Sequence, residues 1–284
     1  MLSEVLTKNE RTTSPPMPTS TVPDSAEGGP RPYRLLPLWQ AFLYFGVPGL
    51  TFFVFVWVGI PALTDAGLSE FAAFLWALLI PSALLLVAAL VGLRSEGWSL
   101  TGSSLRQRFR YRRMTRREWL WTGGAAVVVM LGFGLLTAIT NQLIDNGLIP
   151  LPGDTASVLD PRASSEELLE GYGGVIVGRW ELVALYFVAL SFNIVGEELW
   201  WRGYILPRQE LAHTSHAWLA NGLLWAGFHF FKWWEILALL PMTLTVAFIS
   251  QKLQNNTPAL IVHYLFNGVS FVVFVLLVAG VVEI

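Results

Sequence analysis

Seven long apolar runs, separated by shorter polar segments, dominate the pattern of hydrophobic and polar positions along the chain. Each run is close to or longer than the 20 or so residues that an α-helix needs to cross the hydrocarbon core of a bilayer. Only a few residues around Lys232 and Glu235 separate the fifth and sixth runs, which indicates a tight hairpin or a half-buried turn near the interface. The pattern predicts an all-α fold, a polytopic transmembrane bundle of about seven helices. The predicted helices cover residues 36–63, 71–93, 119–144, 182–209, 217–234, 236–254 and 258–282.

The composition agrees with a membrane protein and separates one end of the chain from the rest. Of the 284 residues, 54% are hydrophobic and only 13% are charged, against about 25% charged residues in ordinary soluble domains. Cysteine is absent, which excludes disulfides and thiolate chemistry. The first 33 residues are rich in Pro, Ser and Thr and contain no apolar run long enough for a secretory signal. We expect a disordered cytoplasmic tail over residues 1–33 and a membrane domain over residues 34–284.

The charges between the helices are segregated by sign, and this segregation predicts the orientation of the chain. Residues 94–118 contain eight arginines and two glutamates, whereas residues 145–181 contain seven acidic residues and two arginines. Short loops rich in Lys and Arg stay in the cytoplasm, so we expect the basic segment inside, the acidic segment outside and the N-terminus in the cytoplasm. This role, with contact to anionic lipids, accounts for the arginines, and we expect no nucleic-acid partner. Thr115 and Glu118 have capping-box spacing, which predicts the start of the third helix.

Ionisable residues inside apolar helices are rare, and here they occur in three groups. Glu197, Glu198 and Arg202 lie in the fourth predicted helix, and His229 lies in the fifth. The seventh carries His263, followed four residues later by an asparagine. Residues four apart share one face of a helix, so Glu198 can pair with Arg202. Ionisable groups at membrane depth usually mark a functional site.

The depths of these groups along their helices permit one common site. At 1.5 Å per residue, Glu197 lies about 18 Å from the cytoplasmic end of its helix, and His229 lies about 18 Å from the start of the next. His263 and Asn267 lie about 8 and 14 Å into the last helix. Because helices tilt by about 20° on average, all of these side chains can meet in one layer in the cytoplasmic half of the membrane.

Three motifs occur in a fixed order along the chain: EELWWR at 197–202, WAGFH at 225–229 and HYLFN at 263–267. They resemble the motifs of the CPBP family of intramembrane endopeptidases, also called the Abi or type II CAAX prenyl protease family. They match the family pattern of Glu-Glu-x-x-x-Arg, aromatic-x-x-x-His and His-x-x-x-Asn, with Trp225 where phenylalanine is more usual. The resemblance covers about residues 180–280, which would form the protease-like core. Some members of the family have eight spans, so eight helices is an alternative to the seven predicted here.

The resemblance implies a role for each residue of the motifs in peptide hydrolysis. Glu197 and His229 would position and deprotonate a water molecule, and His263 and Asn267 would donate hydrogen bonds to the oxyanion. Supporting roles would fall to Trp225 and to the Glu198–Arg202 pair, in which the arginine holds one carboxylate while its neighbour is free to act. This set of roles describes a glutamate-dependent protease without a cofactor.

A metalloprotease remains a second interpretation of the same residues. Glu197, His229 and His263 could bind zinc and leave one coordination position for water. The metal-free mechanism explains Asn267 better, because neutral amides are uncommon zinc ligands. The chain also lacks the His-Glu-x-x-His helix of the zincins.

Two functions other than proteolysis also fit a membrane bundle with buried polar residues. A proton-coupled transporter would use acids and histidines as a relay, but it predicts paired broken helices or an internal repeat, and the sequence shows neither. A non-catalytic scaffold or bacteriocin-immunity protein predicts the loss of a motif residue, yet Glu197, His229, His263 and Asn267 are all present. We therefore expect an integral protein of the cell membrane whose partners are the lipid bilayer and a membrane-anchored protein or peptide substrate.

Overall fold

A computed structural model describes residues 34–283 of the chain, and the predicted tail at residues 1–33 lies outside this range. The described residues form seven long helices and two short ones, without a β-strand. The fold class predicted from the sequence is therefore confirmed. The long helices are α1 (Leu38–Asp65), α2 (Glu70–Ser95), α4 (Arg116–Asp145), α6 (Trp180–Glu197, continued by Glu198–Ile205 and Leu206–His213), α7 (Ala217–Phe228), α8 (Ile236–Leu253) and α9 (Thr257–Val278); the short ones are α3 (Gly102–Arg108) and α5 (Ser165–Gly171).

Five helical runs among the described residues are long and apolar enough to cross a membrane. Helices α1, α2, α4 and α9 each form one run, and the fourth run extends over 74 residues from Trp180 to Leu253. That run includes α6, α7 and α8, because the turns between these helices are themselves helical. The protein is therefore an integral multi-pass membrane protein.

The capping box predicted at the start of the third span is present. The hydroxyl of Thr115 accepts a hydrogen bond from the backbone N–H of Glu118, and the Glu118 carboxylate accepts one from the backbone N–H of Thr115 at 2.8 Å. These bonds satisfy backbone donors that the first turn of a helix leaves open, and α4 begins at Arg116 as a result.

The basic segment between α2 and α4 is attached to the helix ends by ion pairs, in addition to any contact with lipid. Three of its arginines bind carboxylates of the protein itself, and one of those carboxylates, Glu96, also binds Arg208 of α6. The segment is thereby held against the ends of α2, α4 and α6. The pairs are Arg108 with Glu96 at 2.5 Å, Arg110 with Glu210 at 2.7 Å and Arg112 with Glu118 at 2.6 Å.

Helices α2 and α6 pack very closely where α6 carries the first motif. A Cβ atom added to Gly196 would lie 2.6 Å from the backbone oxygen of Ser82, so only glycine fits at this crossing. The side chain of the next residue, Glu197, lies inside the bundle, and the residue is 3% exposed. From Glu198 to Ile205 the helix widens to a π-helix, a form that occurs often at functional sites.

Helices α7 and α8 form a hairpin, as the short spacing between the fifth and sixth apolar runs predicts. A 3₁₀ turn, His229–Glu235, joins them. The indole N–H of Trp57 donates to the backbone oxygen of Phe231, and that of Trp233 donates to the backbone oxygen of Pro150, both at 2.8 Å. These bonds tie the turn to α1 and to the acidic segment. The fifth predicted helix is thus shorter than expected, because α7 ends at Phe228 and His229 opens the turn.

Candidate active site

The three motifs converge on one cavity of about 370 Å³ inside the bundle. Its polar side chains come from α6, α7, the turn after α7, α8 and α9, and apolar residues of α1, α2, α4 and α8 complete the wall. Glu198 and Arg202 lie behind this wall and are fully buried. The motif residues that line the cavity are Glu197, Trp225, His229, His263 and Asn267.

Glu197 is held by hydrogen bonds from two neutral donors. Asn193 Nδ2 donates to Glu197 Oε1 and Trp225 Nε1 donates to Glu197 Oε2, both at 2.7 Å. The amide of Asn193 also lies 3.4 Å from the hydroxyl of Ser82 on α2. Each carboxylate oxygen therefore has one protein donor, and each keeps lone-pair capacity for a further partner.

His229 is oriented by the backbone of the helix that precedes it. Its Nδ1 lies 2.9 Å from the backbone oxygen of Trp225. Because a carbonyl oxygen only accepts hydrogen bonds, Nδ1 carries the hydrogen, and Nε2 of the neutral ring is left as an acceptor. An imidazole in this tautomer can take a proton from a water molecule.

Glu198 joins the first motif to the third. Its Oε1 accepts a hydrogen bond from His263 Nδ1 at 2.9 Å and lies 3.4 Å from Arg202 Nη1. Arg202 therefore contacts Glu198 as the four-residue spacing predicts, and its guanidinium also lies 3.5 Å from the centre of the Trp225 ring. The two adjacent glutamates thus have different environments, one with neutral donors and one with charged or chargeable partners.

Asn267 lies one helical turn beyond His263 on α9, with a half-buried side chain on the cavity wall. Sequence reasoning missed Asn193, which lines the cavity four residues before Glu197. The same i, i+4 spacing that pairs Glu198 with Arg202 could have identified it. Lys232 and Glu235, which the sequence assigned only to a turn, also line the cavity and form an ion pair at 2.5 Å.

The residues proposed as a zinc site do not fit a metal ion in this arrangement. Among residues 34–283, no group of three or more His, Cys, Asp or Glu side chains could hold one. The geometry therefore supports no reaction step through a zinc ion.

The part of the chain that contains the motifs matches a known protein family. Residues 179–269 match the family model described as type II CAAX prenyl endopeptidase Rce1-like. This range includes all three motifs and ends two residues after Asn267. No curated protein and no solved structure matches the chain.

Proposed function

We propose that this chain, whose residues 179–269 form a domain of the Rce1-like type II CAAX prenyl endopeptidase family, is an intramembrane endopeptidase. It hydrolyses peptide bonds of membrane-associated protein or peptide substrates, and its N-terminus faces the cytoplasm. One observation supports this function above all: Glu197, His229, His263 and Asn267 line the same cavity. Peptide hydrolysis needs a base for water, donors for the oxyanion and a proton for the leaving amine, and these residues can supply each of them.

The reaction begins with a water molecule between Glu197 and His229. As the water oxygen attacks the carbonyl carbon of the scissile bond, its proton passes to the Glu197 carboxylate or to His229 Nε2. The carbonyl oxygen becomes an oxyanion, and the amide of Asn267 donates a hydrogen bond to it. A His263 ring protonated on both nitrogens adds a second donor from Nε2 while Nδ1 stays bonded to Glu198. Removing one such donor typically slows catalysis by about 100- to 1,000-fold.

The intermediate collapses when the carbon–nitrogen bond breaks. The proton taken from water passes to the leaving amine, so that Glu197 and His229 return to their starting forms and no other reactant is consumed. The apolar part of the wall keeps bulk water away from the reacting groups. In this low-dielectric environment, hydrogen bonds to the developing charge are stronger than in water.

Cleavage assays with purified protein test this function. Wild type, Glu197→Gln and the control Glu166→Gln, an exposed carboxylate in α5, are incubated with a library of membrane-anchored peptides, each with and without a chelator. We expect wild type and the control to cleave equally, Glu197→Gln to be inactive, and the chelator to have no effect. Cleavage lost on chelation and restored by zinc would contradict the metal-free mechanism. Full activity of Glu197→Gln would refute the assignment of the base. If wild type cleaves no peptide under any condition, a scaffold role would be favoured.

Substrate access from the cytoplasmic leaflet is part of the proposal. The chain has no cysteine of its own, so single cysteines at positions 197 and 263 can be labelled without interference. We expect a membrane-impermeant thiol reagent to label them from the cytoplasmic face. Labelling only from the outer face would refute this direction of entry.

A further inference from the structure

A groove runs along the outer surface of the bundle between α4 and α8. It has a volume of about 540 Å³ and shares no lining residue with the cavity that contains the three motifs. Ala125 and Ile249 are its buried residues, and the half-buried rings of Trp121 and Phe248 face each other across it, with centroids 6.2 Å apart. Among the described residues that line the groove, Arg117 carries the one charged side chain.

The groove has the length of one lipid chain. Along α4 its lining residues run from Arg117 to Val128, a distance of about 17 Å at 1.5 Å per residue. The hydrocarbon part of one leaflet is about 15 Å thick. Because α4 begins at Arg116, Arg117 lies at the polar end of the span, and the groove extends from it towards the centre of the bilayer. A linear acyl chain that lies along α4 would thus contact apolar side chains across one whole leaflet.

The polar end of the groove carries positive charge that no carboxylate of the described chain neutralises. Arg117 is exposed, and so is Lys252, which lies three residues after Ile249 and on the same face of α8. Neither side chain forms an ion pair within 4.0 Å among residues 34–283. The nearby carboxylate of Glu118 is buried and already bound to Arg112 at 2.6 Å. A lipid phosphate is the group that complements such cations at the surface of a bilayer.

We infer that this groove binds one anionic phospholipid of the leaflet on the side of the basic segment. One acyl chain lies between Trp121 and Phe248, and the phosphate accepts hydrogen bonds from the guanidinium of Arg117, with Lys252 as a second cation. In the proposed orientation this is the cytoplasmic leaflet, where anionic lipids attract basic segments. The site goes beyond the proposed function and uses none of its catalytic roles.

The charges favour a lipid over a second copy of the chain as the occupant of the groove. A second copy packed on this face in the same orientation would bring its own Arg117 and Lys252 to the same depth. Like charges at close range repel each other. An anionic lipid instead supplies both the apolar chain and the counter-charge that the groove lacks.

A glycine in the wall allows the groove to be filled without a clash. Gly124 lines the groove, and a Cβ atom added to it would meet no atom within 4 Å. Gly124→Leu therefore places a side chain where the acyl chain would lie. Gly123→Leu is the matched control, because a Cβ atom there also meets open space and Gly123 is not a lining residue. To test the charge, Arg117→Gln is compared with Arg116→Gln, which changes an exposed arginine outside the groove.

Native mass spectrometry of the purified protein measures the Kd of individual lipids without any assay of cleavage. The probes are dioleoyl phosphatidylglycerol, the neutral dioleoyl phosphatidylcholine, and glycerol phosphate, which has the charge but no chain. We expect phosphatidylglycerol to bind most tightly to wild type.

The variants should change the Kd of phosphatidylglycerol by different factors. Arg117→Gln should raise it about 10-fold or more, as expected for a lost hydrogen bond to a charged group. Arg116→Gln should raise it by no more than about 5-fold, the general effect of one charge near a membrane surface. Gly124→Leu should raise it about 10-fold or more, because several methylene groups lose their apolar contacts. Gly123→Leu should leave it unchanged.

Several results would overturn the inference. They are equal Kd values for phosphatidylglycerol and phosphatidylcholine, equal effects of Arg116→Gln and Arg117→Gln, and equal effects of the two leucine variants. Glycerol phosphate bound as tightly as phosphatidylglycerol would reduce the site to an anion site without a chain. A wild-type dimer that Gly124→Leu dissociates would assign the groove to a second copy.

Two features keep the test decisive. If Gly124→Leu fails to fold, the comparison of Arg117→Gln with Arg116→Gln carries it, since both residues are exposed. Lipid binding is also measured separately from proteolysis. A protein that binds phosphatidylglycerol as expected but cleaves no peptide would support the lipid site and contradict only the proposed function.

Discussion

The adjacent residues Glu197 and Glu198 should respond in opposite ways to the same substitution. Glu198→Gln should greatly destabilise the protein, whereas Glu197→Gln should change its stability little and abolish cleavage. Glu198 is fully buried and faces the guanidinium of Arg202 and the ring of His263. Glu197 accepts hydrogen bonds only from neutral groups. The amide of glutamine therefore removes a counter-charge at one position but none at the other.

The size of the effect follows from the distance between the charges. Two unit charges 3.4 Å apart attract each other by about 5 kcal/mol at an effective dielectric constant of about 20. Removing one partner of a buried ion pair ordinarily costs about 3–5 kcal/mol, because the remaining charge stays buried. At Glu197 one hydrogen bond is lost but a buried charge is removed as well, so we expect a net cost of about 1 kcal/mol.

Thermal unfolding of both variants in the same detergent measures this difference. At roughly 2–4 °C per kcal/mol for a chain of about this size, the midpoint should fall by about 6–20 °C for Glu198→Gln. For Glu197→Gln it should fall by only a few degrees. Adding Arg202→Met to Glu198→Gln should recover part of the loss, because it removes the cation that has lost its partner. Equal shifts in the two single variants, or no recovery in the double variant, would refute the reasoning.

Three further predictions concern packing, a buried ion network and a helix cap. Gly196→Ala should lower the unfolding midpoint and the cleavage rate, since its Cβ would lie 2.6 Å from a backbone oxygen of α2; Gly134→Ala, with open space around it, should do neither. Glu96→Gln should cost about 3–5 kcal/mol of unfolding free energy, because two arginines share this carboxylate, and an unchanged midpoint in detergent would contradict this. In the acidic segment, the backbone N–H and then the hydroxyl of Ser164 hold the pKa of Glu167 below its usual value. Ser164→Ala should therefore raise this pKa, as measured by NMR titration, and in wild type the bond should be lost as the pH falls through the lowered pKa.

Much of the fold follows from the sequence because the membrane acts on each segment separately. An apolar run long enough to cross the bilayer forms a helix whatever its neighbours are, since its backbone groups must find partners within the run. For this reason the seven predicted helices are all present. The start of α4 was also predictable, because Thr115 and Glu118 form their capping box within one turn. Where a predicted end moved, as at His229, ring contacts and a hydrogen bond join the turn to α1, and a hydrogen bond joins it to the acidic segment.

Part of the candidate site is likewise encoded locally. The four-residue spacing that brings Arg202 to Glu198 is a property of one helix, and the three motifs all lie in the range that matches the family model. The roles of these residues in catalysis remain a proposal.

Only the tertiary structure decided how the motifs contact one another. Two hydrogen bonds, from Trp225 to Glu197 and from His263 to Glu198, join residues that hydropathy and spacing treat as independent. The same holds for Lys232, which lies on the cavity wall beside the motif residues. The arginines of the basic segment are a further example. Their charge predicts the orientation of the chain in the membrane, but it does not predict which carboxylates they bind. Local patterns determine which segments are helical, since that depends on neighbouring residues and the bilayer. Side-chain contacts between helices depend on the angle and depth at which whole helices pack, which no single segment encodes.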